Sequence, residues 1–207
     1  MRRIVVSLFL ILCLSVSAFA FADQDAVFEY DVYAWTDDTH LELYELCSTF
    51  TLPDGWSRAS EEMLSSMNDV DPSVVSASAL NPYVMVYLIN ADETVATLLC
   101  SEEVVDPETV ADAHDYLLLF ANDILASADE TGLTYTYDPE SVTDFSLVEI
   151  PYCELTVTVS DGTIIDLLCT QGGLGTFYTF VIEGSLSAVE AFTPEFINAF
   201  SEIEAVG

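Results

Sequence analysis

The chain of 207 residues is 52% hydrophobic and 12% aromatic, and its 36 acidic residues against 3 Lys and Arg give a formal net charge of −33. Its apolar content is far above that of acidic disordered chains, so we expect a folded domain. The negative charge argues against binding to nucleic acids and to anionic membranes, and leaves cations, basic proteins and neutral ligands as open partner classes. A self-repelling surface of this kind favours a soluble monomer.

The first 22 residues have the pattern of a secretory signal peptide. Two arginines precede an apolar run that ends in Ala20-Phe21-Ala22, an A-x-A cleavage site. We expect cleavage after Ala22 or, alternatively, after Ala20, and a secreted, extracellular protein. An uncleaved membrane anchor is the competing interpretation, because residues 4–22 approach the length of about 20 residues that a span requires. The sequence thus predicts a signal peptide over 1–22 and one secreted α+β domain over 23–207.

The first half of this domain alternates apolar and polar side chains, which is typical of strands separated by turns. Asp37-Asp38 and Pro53-Asp54-Gly55 supply turn residues, and Met63, Leu64 and Met67 share one face of a short helix. The segment 71–80 is ambiguous. The predicted elements are strands over 27–35 and 41–52, a helix over 57–67, and strands over 83–89 and 94–100.

The second half opens on a helix signal. Asp106-Pro107-Glu108 offers a capping Asp, a Pro at the first helical position and an acid near the positive end of the helix dipole. The helical spacing continues to about residue 128 and places His114 on the apolar face, which predicts a packed histidine. Thr193-Pro194-Glu195 starts the last helix in the same way. Strands are predicted over 135–137, 148–159, 163–170 and 176–183. This order predicts an α+β fold, an antiparallel sheet flanked by helices in an α/β/α sandwich.

The hairpin around Ser160-Asp161-Gly162 has two possible registers. A two-residue turn at Asp161-Gly162 would place Val157 opposite Asp166, an acid on the apolar face. A three-residue loop with Gly162 in the left-handed region pairs apolar residues throughout and brings Cys153 opposite Cys169. We therefore predict the three-residue loop.

Four cysteines follow the signal peptide, an even number that suggests disulfides in a secreted protein. The register favours a Cys153–Cys169 disulfide, and elimination leaves Cys47–Cys100 as the second pair. Reduced, buried cysteines acting as small apolar residues are the alternative.

No signature of a known catalytic site occurs in the chain, and no cofactor is expected. Two loops cluster oxygen ligands of the type that calcium prefers, and they make Asp69, Asp71, Asp92 and Glu93 candidate metal ligands. Paired carboxylates are inevitable among so many acids, so they do not by themselves indicate a hydrolase. A deep pocket lined by His114, or by a cysteine with a shifted pKa, would argue strongly against a non-enzymatic role.

The stretch FTLPDGW, Phe50–Trp56, resembles the opening of PsbP-like and DcrB-like domains, and the closing order of long helix, hairpin, strand and helix is also similar. The resemblance implies an α/β/α sandwich around an antiparallel sheet. It also implies a secreted protein that binds or scaffolds, and it provides no catalytic residues. The chain departs from the lipoprotein members, because Leu12 precedes Cys13 where a small residue is needed.

The sequence therefore favours a secreted, strongly acidic, non-enzymatic binding or scaffold domain of unknown ligand. The alternatives are an extracellular hydrolase that uses paired carboxylates and a calcium-responsive surface protein.

Overall fold

The computed structural model describes residues 32–68, 80, 82–103, 110–126, 132–172 and 175–203. These residues form β1 (Tyr33–Trp35), β2 (His40–Leu43), β3 (Ser48–Thr51), β4 (Trp56–Arg58), β5 (Tyr83–Asn90), β6 (Val95–Glu103), β7 (Tyr135–Thr136), β8 (Thr143–Leu147), β9 (Ile150–Val159), β10 (Thr163–Gln171), β11 (Thr176–Ser185) and β12 (Phe200–Glu202). They also form the helices α1 (Glu61–Asn68), α2 (Ala113–Ala126) and α3 (Leu186–Asn198) and a 3-10 turn at Pro139–Ser141. None of the three α-helices is long and apolar enough to cross a membrane.

Eight of the strands form one antiparallel sheet in the order β4-β5-β6-β11-β10-β9-β7, with β8 paired to β9. Its central strands are buried on both faces, which is why they read as continuous apolar runs such as Leu167-Leu168. Leu167 belongs to a core that includes Phe120 of α2, whereas Leu168 belongs to a core that includes Phe196 of α3. Helices α2 and α3 therefore pack on opposite faces of the large sheet.

A second, smaller sheet has the strand order β1-β2-β3-β12. Its buried side chains, Leu41 and Phe50 among them, join the core on the α3 face, where the Phe50 and Phe196 ring centroids are 5.3 Å apart. On the other face, α1 contributes Met67 to the core beneath α2. The predicted fold class, α+β with an antiparallel sheet flanked by helices, is confirmed.

The β9–β10 hairpin has the predicted three-residue register. Cys153 pairs with Cys169, Leu155 with Leu167, and Val157 with Ile165. Gly162 has a φ of +90°, the left-handed conformation on which the prediction depends.

Two predictions for the first half are wrong. The single strand over 41–52 is two strands, β2 and β3, joined by a tight turn over residues 44–47 in which Cys47 has a φ of +46°. That turn contains no Gly, Pro or Asn, so its sequence has no turn signal. The helix over 57–67 begins only at Glu61, because residues 57 and 58 lie in β4. Residues 27–31 of the first predicted strand lie outside the described part.

Both helix starts in the second half are also wrong. Residues 110–112 are not helical, and α2 begins at Ala113 instead of near residue 107. Helix α3 begins at Leu186 and contains Pro194, which the sequence placed in the first turn. Strands β8 and β12 were not predicted. The shifted start of α2 matters most, because it moves the residues of its first turn to the rim of the sheet.

Candidate functional site

The predicted calcium ligands do not form a described site. Asp69 and Asp71 lie outside the described residues. Asp92 and Glu93 are exposed in the β5–β6 turn and belong to no group of three potential ligands among the residues that the structure describes. The nearby Asn90 amide oxygen accepts hydrogen bonds from the backbone N–H groups of Thr94, at 2.8 Å, and Val95, at 3.0 Å. That oxygen holds the turn together and is not free for a cation.

A different group of potential ligands lies in the first turn of α2. The ligand atoms of Asp112, His114 and Asp115 all lie within 4.8 Å of one another, and all three side chains are exposed. Within the described ranges this is the one such group of His, Cys, Asp and Glu. His114 is therefore not the packed histidine that the sequence predicted. The prediction failed because it placed His114 in mid-helix, whereas the helix begins one residue before it.

The local sequence explains how these side chains are held. The Asp112 Oδ1 atom accepts hydrogen bonds from the backbone N–H groups of His114, at 3.0 Å, and Asp115, at 3.1 Å, as a helix cap does. The Asp115 Oδ2 atom in turn accepts from the N–H of Ala111 at 3.2 Å. This arrangement resembles a capping box, except that Asp115 accepts from the N–H of the residue before the cap. It fixes both carboxylates on the same turn and leaves one oxygen of each for a ligand.

Two of the three residues, Asp112 and His114, line a cleft of about 360 Å³. One wall is the start of α2, the second is formed by β8 and β9, and the third is the end of β10 and the residue after it. The lining residues are Asp112, Ala113, His114, Asp144, Pro151, Tyr152, Cys153, Gln171 and Gly172. Asp144 is the register partner of Cys153, so a carboxylate and a thiol occupy neighbouring positions in this cleft.

The cleft contains no Lys or Arg. Arg58, which is the only basic residue after Arg3, lines a separate cleft of about 660 Å³ between β1 and α1. Its guanidinium lies 4.5 Å from the Trp35 ring centroid and 3.4 Å from Asp38 Oδ1. The charges of Asp112 and Asp144 are therefore not compensated by a described basic side chain. A concave surface with charge of one sign raises the local concentration of the opposite ion.

Cys153 lines this cleft, and its register partner Cys169 lies behind it in the core. Cys169 is fully buried and Cys153 is 3% exposed. The Cys153 thiol donates to the carbonyl of Cys169 at 3.6 Å, and the Cys169 thiol donates to the carbonyl of Thr170 at 3.9 Å. Both are free thiols, so the predicted disulfide is not shown, although the predicted facing of the two residues is confirmed.

The two thiols differ in acidity. Interaction with the Cys169 side chain holds the pKa of Cys153 below its ordinary value, against burial and the charges of Asp144 and Asp112, which raise it. Burial raises the pKa of Cys169 well above its ordinary value, and the hydrogen bond with Cys153 raises it further. Cys153 is therefore the more acidic of the two thiols.

The second predicted disulfide, Cys47–Cys100, is contradicted. Cys100 is buried in the core on the α2 face, whereas Cys47 is exposed on the turn between β2 and β3 of the small sheet, on the α3 side. The large sheet separates the two, and both are free thiols. Pairing by elimination failed because the number of cysteines does not indicate on which face of the large sheet each one lies. Cys100 shares its face with Cys169, but Thr179 of β11 lies between them.

A second carboxylate pair bears on the hydrolase alternative. Burial raises the pKa of Glu154, and the charge of Asp166 raises it further. The Asp166 carboxylate accepts hydrogen bonds from the hydroxyls of Thr156, at 2.6 Å, and Thr193, at 3.1 Å. These bonds link β9, β10 and α3 inside the protein, which is a structural use of the carboxylate.

A comparison with protein-family models found no match, and a comparison with curated proteins found none either. Among solved structures, the chain is similar to the solution structure of cyanobacterial PsbP (CyanoP) from Synechocystis sp. PCC 6803. The two share 15% sequence identity at a TM-score of 0.48, over 76% of this chain and 88% of that one. This is the family that the FTLPDGW stretch and the order of elements indicated. The likeness concerns the fold alone, and no argument about function rests on it.

Proposed function

We propose that this chain is a secreted binding domain whose ligand is a divalent transition-metal cation, held by Asp112, His114 and Asp115 at the cleft. The observation that supports this is the mutual approach of three ligand atoms to within 4.8 Å, beside a cleft that no Lys or Arg lines. Ligands at about 2.1 Å from a tetrahedral zinc ion lie roughly 3.4 Å apart, so small rotations of three exposed side chains complete the geometry.

The donor set favours zinc and similar ions over calcium. Calcium takes six to eight oxygen ligands, whereas an imidazole nitrogen with two carboxylates suits zinc and other first-row transition metals. The remaining positions are open to water or to a donor from a partner. The calcium-responsive alternative predicts the opposite preference, so one titration separates the two.

A non-enzymatic role fits the way the polar groups are connected. Among the described residues no hydrogen bond joins His114 to Cys153, so the imidazole is not placed as a base for this thiol. The Asp112 and Asp115 carboxylates accept backbone hydrogen bonds of the helix cap. The cleft nevertheless has the features that argue against a purely inert surface, His114 and a thiol of shifted pKa.

The test is isothermal titration of the mature chain with zinc and with calcium at constant ionic strength. D112N keeps a good helix cap but removes a charged ligand, and H114A removes the nitrogen. H40A is the matched control, because His40 is the only other histidine. Its Nδ1 atom lies 2.8 Å from Asp37 Oδ2, and it does not line the cleft. We expect zinc affinity to fall at least about tenfold, or ~1.4 kcal/mol, in D112N and H114A and to be unchanged in H40A.

Equal zinc affinity in wild type and H114A would reject the site. Stronger binding of calcium than of zinc, lost in D112N, would instead support the calcium alternative.

A further inference from the structure

We propose that Cys153 and Cys169 form a reactive dithiol that reduces small cationic or neutral disulfides, with Cys153 as the attacking thiol and Cys169 as the resolving thiol. This goes beyond the proposed cation binding and does not depend on it. The inference rests on the register of the two strands, on the position of one thiol in the cleft, and on the charges around it.

The register brings the two sulfur atoms within reach of each other. Directly opposite residues of antiparallel strands have Cα atoms about 4.5–5.5 Å apart, inside the range of about 4.4–6.8 Å that disulfides span. Cys153 and Cys169 are such partners, and both side chains point into the core on the α2 face. A bond between them needs rotation of the side chains and no displacement of the strands.

The surroundings make the two thiols unequal. Cys153 lines the cleft at 3% exposure, whereas Cys169 is fully buried behind it, so a disulfide that enters the cleft meets Cys153 first. The lowered pKa of Cys153 favours its thiolate, which is the nucleophile in thiol–disulfide exchange. The order of reaction is therefore set by access.

The chemistry is a balanced exchange in two steps. The Cys153 thiol gives up its proton, and the thiolate attacks one sulfur of the small disulfide, which forms a mixed disulfide and releases the other half, which takes up a proton. Cys169 then gives up its proton and attacks the Cys153 sulfur, which forms the Cys153–Cys169 disulfide and expels the second half, which takes up the second proton. The protein loses two electrons and two protons, and the small disulfide gains both.

The charges around Cys153 select the substrate. Asp112 and Asp144 act on the Cys153 thiol electrostatically, and no Lys or Arg lines the cleft. An anionic disulfide such as oxidised glutathione is repelled there, whereas a cationic one such as cystamine is attracted. The attraction weakens at high salt, because ions screen charges in an exposed cleft.

The experiment uses the mature chain carrying C47S, which removes the exposed thiol that would otherwise react. The protein is reduced, freed of reductant and mixed with cystamine, with neutral hydroxyethyl disulfide or with oxidised glutathione. Intact mass and peptide mapping follow the products. We expect the parent to lose two hydrogens as Cys153–Cys169 forms, and cystamine to react at least about tenfold faster than oxidised glutathione at low salt.

Three further substitutions test the assigned roles. C169S, with C169A as a second variant in case the buried hydroxyl disturbs folding, should stop at the mixed disulfide on Cys153. C153S should form neither product, and C100S is the matched control on the same face and should react like the parent. Free thiols at both positions in the parent after cystamine treatment would overturn the proposal. So would equal rates with cystamine and oxidised glutathione, or a mixed disulfide on Cys169.

Discussion

Replacing Thr97 by valine should stabilise the protein. Thr97 lies on β6 and is 1% exposed, and its hydroxyl has no hydrogen-bond partner among the described residues. It borders a void of about 10 Å³ whose other lining residues are apolar. A buried water needs two to four polar partners, so this void is a poor site for one.

The size of the effect follows from the burial of the hydroxyl. A buried, unpaired polar group costs about 1–3 kcal/mol, and valine keeps the branched shape while it removes that group. We expect T97V to raise the free energy of unfolding by about 1 kcal/mol, and the melting temperature by roughly 3 °C for a domain of this size. Urea unfolding with an unchanged m-value is the appropriate assay.

The same substitution at Thr170 provides the control. Thr170 is fully buried on β10, but its hydroxyl donates to the carbonyl of Pro151 at 2.7 Å. T170V should therefore lower the free energy of unfolding by about 1 kcal/mol. A loss of stability in T97V similar to that in T170V would refute the reasoning, because it would mean that the Thr97 hydroxyl is satisfied.

Two further outcomes follow from the cores. F196A should lower the free energy of unfolding, measured by urea denaturation, by about 3–5 kcal/mol, because this fully buried ring lies 5.1–5.6 Å from four other phenylalanine rings. L186A, at a 53% exposed position of the same helix, should change it by no more than about 0.5 kcal/mol. Equal effects of the two substitutions would contradict this packing. Burial raises the pKa of Cys100 from 9.0 to about 12, so its unfolded form loses the proton first. The contribution of this thiol to the free energy of unfolding should be intact below pH 9.0 and fall by up to about 1.4 kcal/mol per pH unit as the pH rises toward 12. If the free energy of unfolding of C100A falls equally steeply with pH, this thiol is not the cause.

Much of the fold could be predicted from local signals that agree with one another. The β9–β10 register was correct because Gly162 marks the left-handed position and Val157, Leu155 and Cys153 all find suitable partners in one alignment. Where turns use no typical residue, prediction failed. Strand β8 was missed because Val148 and Glu149 form the β8–β9 turn with φ of +49° and +65°, conformations that their side chains rarely adopt.

The candidate site could be predicted only in part. Asp112 and Asp115 have the i, i+3 spacing of a capping box, a signal that was overlooked because Asp106-Pro107 offered a stronger helix start. The approach of Cys153 to this turn is a different matter. It depends on how α2 lies across the sheet. The local sequences of a helix and a strand that are far apart in the chain do not indicate how the two pack.

The pairing of β3 with β12 has a consequence for the order of assembly. Phe50 is the register partner of Phe200, and the N–H of Thr51 donates to the carbonyl of Ala199 at 2.9 Å. The small sheet therefore cannot be completed until residue 200 has been synthesised, although three of its strands emerge first. Closing so long a loop carries an entropic cost and slows folding. The small sheet therefore stays incomplete, with one edge of β3 unpaired, for most of the synthesis of the chain.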